Sequence, residues 1–143
     1  MDFRHYFEAS EEKMNVEKTL THIPKAHRAL VKGYKFKYTP GNTMQGDNDH
    51  IGEVDPSKKK ITIAAPWNYG REFTTLHEIG HMVWATLSPA KQNAWDKLAK
   101  NTKGKQDQNS EELFCMAYAN AYAKHKIEIH NHPKWDKFIK SLS

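Results

Sequence analysis

Apolar positions along the chain recur at helical spacing, then alternate, then return to helical spacing. Residues 1–23 carry a sparse helical pattern at Phe3, Phe7, Met14, Val16 and Leu20, and residues 1–15 read as a mobile N-terminal segment. Pro24 suits the first turn of a second helix over Lys25 to Lys32, with Ala26, Ala29, Leu30 and Val31 apolar and Gly33 as its C-terminal cap. Tyr34 to Tyr38 alternates strictly, the period of a half-buried strand, and Pro40-Gly41 stops it. Ile51 to Val54 and Lys60 to Ala64 flank the turn Asp55-Pro56-Ser57-Lys58, which predicts a hairpin. From Gly70 to Leu87 the apolar residues Phe73, Leu76, Gly80, Val83, Trp84 and Leu87 form one helical stripe.

Ser88-Pro89 begins another helix running to about Lys100. Asn109 or Ser110 caps one running to about Lys126, and His132-Pro133 opens a closing helix with Trp135, Phe138, Ile139 and Leu142 buried. Strands first and helices afterwards predict an α+β fold with a short antiparallel sheet. A chain of 143 residues suits a single domain spanning 1–143.

Composition narrows the class. No run approaches the roughly 20 apolar residues of a membrane span, the first residues lack the apolar run of a secretory leader, and mean hydropathy is -0.87, so a cytoplasmic protein is expected. A single cysteine, Cys115, rules out an intrachain disulfide framework and reads as buried and inert. The formal charge is +5, but nearly all of the cations are lysines; the arginines are Arg4, Arg28 and Arg71. Base and phosphate readers lean on arginine forks, so the basic balance reads as a lysine-covered surface rather than a nucleic-acid stripe. Trp67, Trp84, Trp95 and Trp135 read as core residues.

Nine histidines are the more unusual feature. Two of them form His77-Glu78-Ile79-Gly80-His81, an H-E-x-x-H motif inside the segment already read as helix. Residues i and i+4 lie one turn apart on the same face, so two imidazoles can converge on one tetrahedral ion. His77 falls within the apolar stripe, His81 on its shoulder and Glu78 further round, where a carboxylate reaches a metal-bound water rather than the metal. A catalytic zinc site takes a third protein ligand. Glu112 shares a face with Cys115, Ala119 and Ala123, small residues that allow close helix approach, and is the preferred third ligand. Glu111, which shares its face with Phe114, Tyr118 and Tyr122, is the alternative. A capping box between Asn109 and Glu112 competes with both.

Other clusters read more plainly. Asp47-Asn48-Asp49-His50 lacks the glycine and distal glutamate of a calcium loop and reads as a turn. His125, His130 and His132 read as solvated loop residues, and His27 as a helix-surface residue.

On His77-Glu78-Ile79-Gly80-His81 and Glu112-Leu-Phe-Cys-Met-Ala-Tyr118 the chain resembles the gluzincin metallopeptidases, in particular the anthrax lethal factor catalytic domain and the bacterial Pro-Pro endopeptidases. The resemblance implies a small zincin-like domain over about residues 16–142. It places the family's third-ligand helix on Glu112, Phe114, Cys115 and Tyr118. Met116 stands where the family often has a second carboxylate, so the support of the zinc ligands differs here. The family's oxyanion-stabilising tyrosine has no counterpart in Lys103-Gly-Lys-Gln-Asp107; Tyr118, Tyr122 or His50 are its substitutes, with Tyr118 the named catalytic candidate. Tyr118-Ala-Asn-Ala-Tyr-Ala123 is also loosely similar to small intracellular peptidases of mobile elements that cleave phage-type repressors.

The expected activity is zinc-dependent peptide hydrolysis with Glu78 as general base. The expected partner is a protein or peptide bound extended along the strand Lys60 to Ala64, which would form the cleft's upper rim, with a mild bias from the cationic surface toward acidic or neutral sequences. The alternatives are a repressor-cleaving regulatory protease and a zinc-stabilised interaction module without turnover.

Overall fold

The computed structural model describes residues 16–39, 52–64, 70–102, 109–124 and 132–143. Helix α1 is described over residues 16–20. It is followed by α2 (Lys25–Leu30), β1 (Lys35–Thr39), β2 (Gly52–Asp55), β3 (Lys60–Ala64), α3 (Gly70–Thr86), α4 (Pro89–Lys100), α5 (Ser110–Tyr122) and α6 (Pro133–Lys140). The fold is α+β, as the order of patterns implies. No described helix is long and apolar enough to cross a membrane.

Local chemistry accounts for several of the boundaries. The Asp55 carboxylate accepts from Ser57 N–H, Ser57 Oγ and Lys58 N–H, closing the turn between β2 and β3. Gly33 takes φ +84° just after α2, the left-handed conformation a glycine adopts at little cost. Ser88 accepts from the Lys91 N–H, and Pro89 follows it at the first helical position.

The sheet corrects one expectation. Its order is β1-β3-β2, with β2 antiparallel to β3 but β1 parallel to it, so the sheet is mixed rather than antiparallel. Alternation marks a strand and its buried face but carries no direction; the chain between β1 and β2 sets that. The same order makes β3 the central strand. Both edges of Lys60–Ala64 are already hydrogen-bonded, which removes it as the strand a substrate would extend. Among the described residues, the edges are β1 and β2.

Ile61 and Ile63 are fully buried on the face that packs on α3. Behind α3 lies α5, and an aromatic cluster fills the space toward α4 and α6: Trp95 has its ring centroid 5.6 Å from Phe114, 5.3 Å from Trp135 and 5.4 Å from Phe138. Trp95 and Trp135 are core residues as read, Trp84 is half-buried against Phe114, and Trp67 lies outside the described residues.

His27 is not on the surface. It is 5% exposed, and its Nδ1 lies 3.0 Å from the Tyr118 hydroxyl. Burial pushes the ring's pKa below its ordinary 6.5, against a hydrogen bond to the backbone of Leu142. The unfolded chain therefore binds this proton more readily than the folded one. The stability His27 supports is complete above pH 6.5 and is lost as pH falls from there toward the lowered folded value. Denaturant midpoints measured from pH about 7 to about 5 should fall more steeply for the wild type than for His27→Gln. Parallel curves would contradict this.

Candidate metal centre

Helix α3 carries the H-E-x-x-H residues. His77 and Glu78 are buried, at 5% and 4% exposure, and His81 is half-buried. The His77 and His81 rings stand edge to face with centroids 5.2 Å apart, both turned toward the N-terminus of α5. There the two oxygens of Glu112 divide between them: His77 Nε2 lies 3.1 Å from Oε2 and His81 Nε2 3.1 Å from Oε1.

Asn109 caps α5 by accepting from the N–H groups of Glu111 and Glu112 at 2.8 and 3.2 Å. In the sequence, capping competes with a role for Glu112 beside the histidines; the structure contains both, because the cap uses the Glu112 N–H and leaves its carboxylate free to reach α3. Glu111 has a different position. Its Oε2 lies 2.9 Å from His81 Nδ1, on the side of the ring away from Glu112. Sequence reading offers Glu111 only as a rival ligand; two adjacent carboxylates facing a histidine-bearing helix are the signal for this bracketing arrangement.

The close approach of α3 and α5 depends on Gly80. A Cβ built there would come within 3.0 Å of the Cys115 Cα and 3.3 Å of its Cβ. Cys115 is fully buried, and one ring nitrogen of each histidine lies within 4.8 Å of its sulfur and of the other. Burial, together with the carboxylates of Glu112, Glu111 and Glu78, pushes its thiol far above the usual range. The thiol therefore stays protonated and unreactive unless a cation displaces its proton.

The carboxylates act oppositely on His81. Burial lowers its pKa, but the hydrogen bonds and charges of Glu112, Glu78 and Glu111 outweigh this and raise it to about 9. Hydrogen bonds from His77 and His81 hold Glu112 well below the ordinary carboxylate range, against the opposing effect of burial. Among the described residues, His77 Nδ1 is buried and has no hydrogen-bond partner.

The site opens into a cleft of about 450 Å³. It is lined by Glu78, His81, Met82 and Ala85 of α3, by Glu112 of α5, and by Glu53, Val54 and Pro56 of β2 and the turn after it. Tyr118 is not among them. It is fully buried in α5, stacked on Phe114, with its hydroxyl on His27 and its pKa pushed up by burial. It is therefore not the oxyanion donor of this cleft: on α5 the face of Phe114 and Tyr118 turns into the core. The Tyr122 hydroxyl is also buried, without a partner among the described residues, and no described tyrosine lines the cleft. His50, the calcium-like run 47–50, His125 and His130 lie outside the described residues, while His132 packs its ring on Trp135.

Fold and site together define an α+β domain in which an H-E-x-x-H helix meets a second helix carrying paired glutamates. No protein-family model, curated protein or solved structure matches the chain.

Proposed function

We propose that this chain is a zinc-dependent endopeptidase of the gluzincin type, with His77, His81 and Glu112 holding the metal and Glu78 acting as general base. The observation that carries the reading is the convergence of two imidazole Nε2 atoms on one carboxylate, 3.1 Å on each side, at the wall of an open cleft. Two imidazoles and a carboxylate are a donor set that catalytic zinc takes, leaving a position for water. When bound, the ion supplies Lewis acidity, polarising the scissile carbonyl and making water a better nucleophile. Glu78 takes the proton as water adds to the carbonyl carbon, and passes it to the leaving nitrogen as the C–N bond breaks. Glu111 holds His81 by its Nδ1, leaving Nε2 for the metal. Strand β2, the edge strand beside the cleft, replaces β3 as the platform to which an extended peptide adds by main-chain hydrogen bonds.

Metal analysis and peptide cleavage test the proposal together. Wild type should retain stoichiometric zinc after desalting, His81→Ala should not, and chelation should stop cleavage of a peptide library. A wild type that holds no zinc, or cleaves equally well after chelation, contradicts the proposal. Glu111→Ala should still bind zinc, but about 10–100-fold more weakly, as measured by competition with a chromogenic chelator. Unchanged affinity would remove Glu111 from its supporting role.

The proximity of Cys115 favours a second reading, a closed and non-catalytic site in which its thiolate joins His77, His81 and Glu112 as a fourth ligand. Cobalt substitution separates the two. A sulfur-to-cobalt charge-transfer band that disappears in Cys115→Ser would establish the thiolate site, whereas the peptidase reading expects none.

A further inference from the structure

We propose that the free edge of β1, at the opposite edge of the sheet from β2 and the cleft, docks an extended protein segment in which acidic and apolar residues alternate. The Lys35 N–H donates to the Lys59 carbonyl at 2.9 Å, so the backbone groups of Lys35 and Lys37 face β3. Alternation turns the Phe36 N–H and C=O outward, and among the described residues no strand pairs with them. The side chains divide as regularly. Lys35 and Lys37 are exposed on the outer face of the sheet, where Lys35 stands directly across from Lys60. Phe36 stands across from Ile61 and is half-buried on the face toward α3. A strand added to this edge meets lysine, phenylalanine and lysine in turn, so its complement is acidic, apolar and acidic.

Charge identifies the occupant. Like charges directly opposite each other weaken a sheet, yet Lys35 and Lys60 are such neighbours, with Lys59 just before them in the turn. Among the described residues, Lys35, Lys37, Lys59 and Lys60 have no ion-pair partner, while lysines of α4 and α6 do. The outer-face carboxylates, Glu53 and Asp55, are on β2 beyond β3. Asp55 stands across from Lys60 but accepts from Ser57 and Lys58 in the turn. A second copy of β1 would set lysine against lysine, so the edge repels its own kind while admitting an acidic strand. Nucleic acid fits less well: a phosphodiester backbone has no N–H for the Phe36 carbonyl, and neither β1 nor β3 carries an arginine fork. No described residue of β1 lines the cleft, so this docking stands apart from the metal site. The acidic preference suggested by the overall charge of +5 belongs to β1, because the cleft is bordered by Glu53, Glu78 and Glu112.

The experiment measures binding of a fluorescent peptide of alternating glutamate and valine by anisotropy, on chelator-treated wild type and on Glu78→Gln without chelator. Both should bind it equally, and added salt should weaken the binding. Exchange of two exposed side chains in Lys35→Glu with Lys37→Glu should weaken it by on the order of 10-fold or more, and should confer binding of the alternating lysine and valine peptide. N-methylation of every second peptide amide should abolish binding in one phase and spare it in the other, since only one set of amides faces β1. Equal effects of the two phases, or indifference to the double substitution, would overturn the proposal. Binding lost on chelation would place the peptide in the cleft instead, and a single-stranded oligonucleotide bound as tightly would make the lysines a phosphate patch. Wild type that sediments as a dimer or larger species, and as a monomer after the double substitution, would give the edge to a second copy of the chain.

Discussion

Glu78→Gln should retain its zinc and lose most of its cleavage, with kcat/KM falling by about 10²–10⁴-fold. The substitution keeps the shape of a nearly buried side chain but removes the basic oxygen. The proposed ligand atoms are untouched, since the His77, His81 and Glu112 contacts do not involve Glu78. Two opposing effects act on the metal. The charge of Glu78 helps raise His81 to about 9, so removing it makes the ring easier to deprotonate. Loss of a negative charge near the dication works the other way, so zinc affinity near neutral pH should change little. Metal content and steady-state kinetics on the same preparation provide the check. Undiminished cleavage would remove Glu78 as the base, and loss of zinc together with activity would assign it to the metal set.

Substitution of Gly80 should have the second large effect, on stability and metal affinity together. Alanine gains about 1 kcal/mol of helix propensity over glycine, but its Cβ meets the Cys115 backbone at 3.0 Å in a fully packed interface. Overpacking of this kind costs about 1–3 kcal/mol, and the leucine side chain adds three further carbons to the clash. Gly80→Leu should therefore lower the unfolding midpoint by several degrees, since 1 kcal/mol corresponds to about 2–8 °C in chains near this size. It should also weaken zinc binding at least tenfold, because pushing α5 away carries Glu112 from His77 and His81. Gly80→Ala should show the same two effects in smaller measure. Wild-type zinc affinity in Gly80→Leu would mean that the packing between the helices does not place the ligand.

Helix spacing made the centre of the site legible. His77 and His81 are one turn apart on a segment whose apolar stripe independently predicts a helix, and the small residues after Glu112 imply the close packing found at Gly80 and Cys115. Other features depended on tertiary structure. Glu111 and Glu112 sit on different faces of α5, and both reach His81 only because that ring lies off the helix's N-terminus, where side chains fan apart. Tyr118 belongs to a chemically suitable residue type, yet its rotation around α5 is set by the aromatic core. His27 sits between exposed neighbours in sequence, and its burial comes from α5 and the C-terminal turn. The alternation of β1 gave its faces but not its parallel partner.

The attachment of α5 to α4 has a bearing on how such sites diverge. The Trp95 indole donates to the Ser110 carbonyl at 2.8 Å, and Ser110 Oγ bonds to Asp96, so the first residue of the glutamate-bearing helix is tethered to α4. No residue of α4 lines the cleft. On the proposed metal site, exchanges at positions 95, 96 or 110 would tilt the helix and retune metal affinity while every donor residue stays the same. Chains sharing an identical set of donors can thus differ widely in their hold on the metal, and the difference would be inherited through a helix that never touches it.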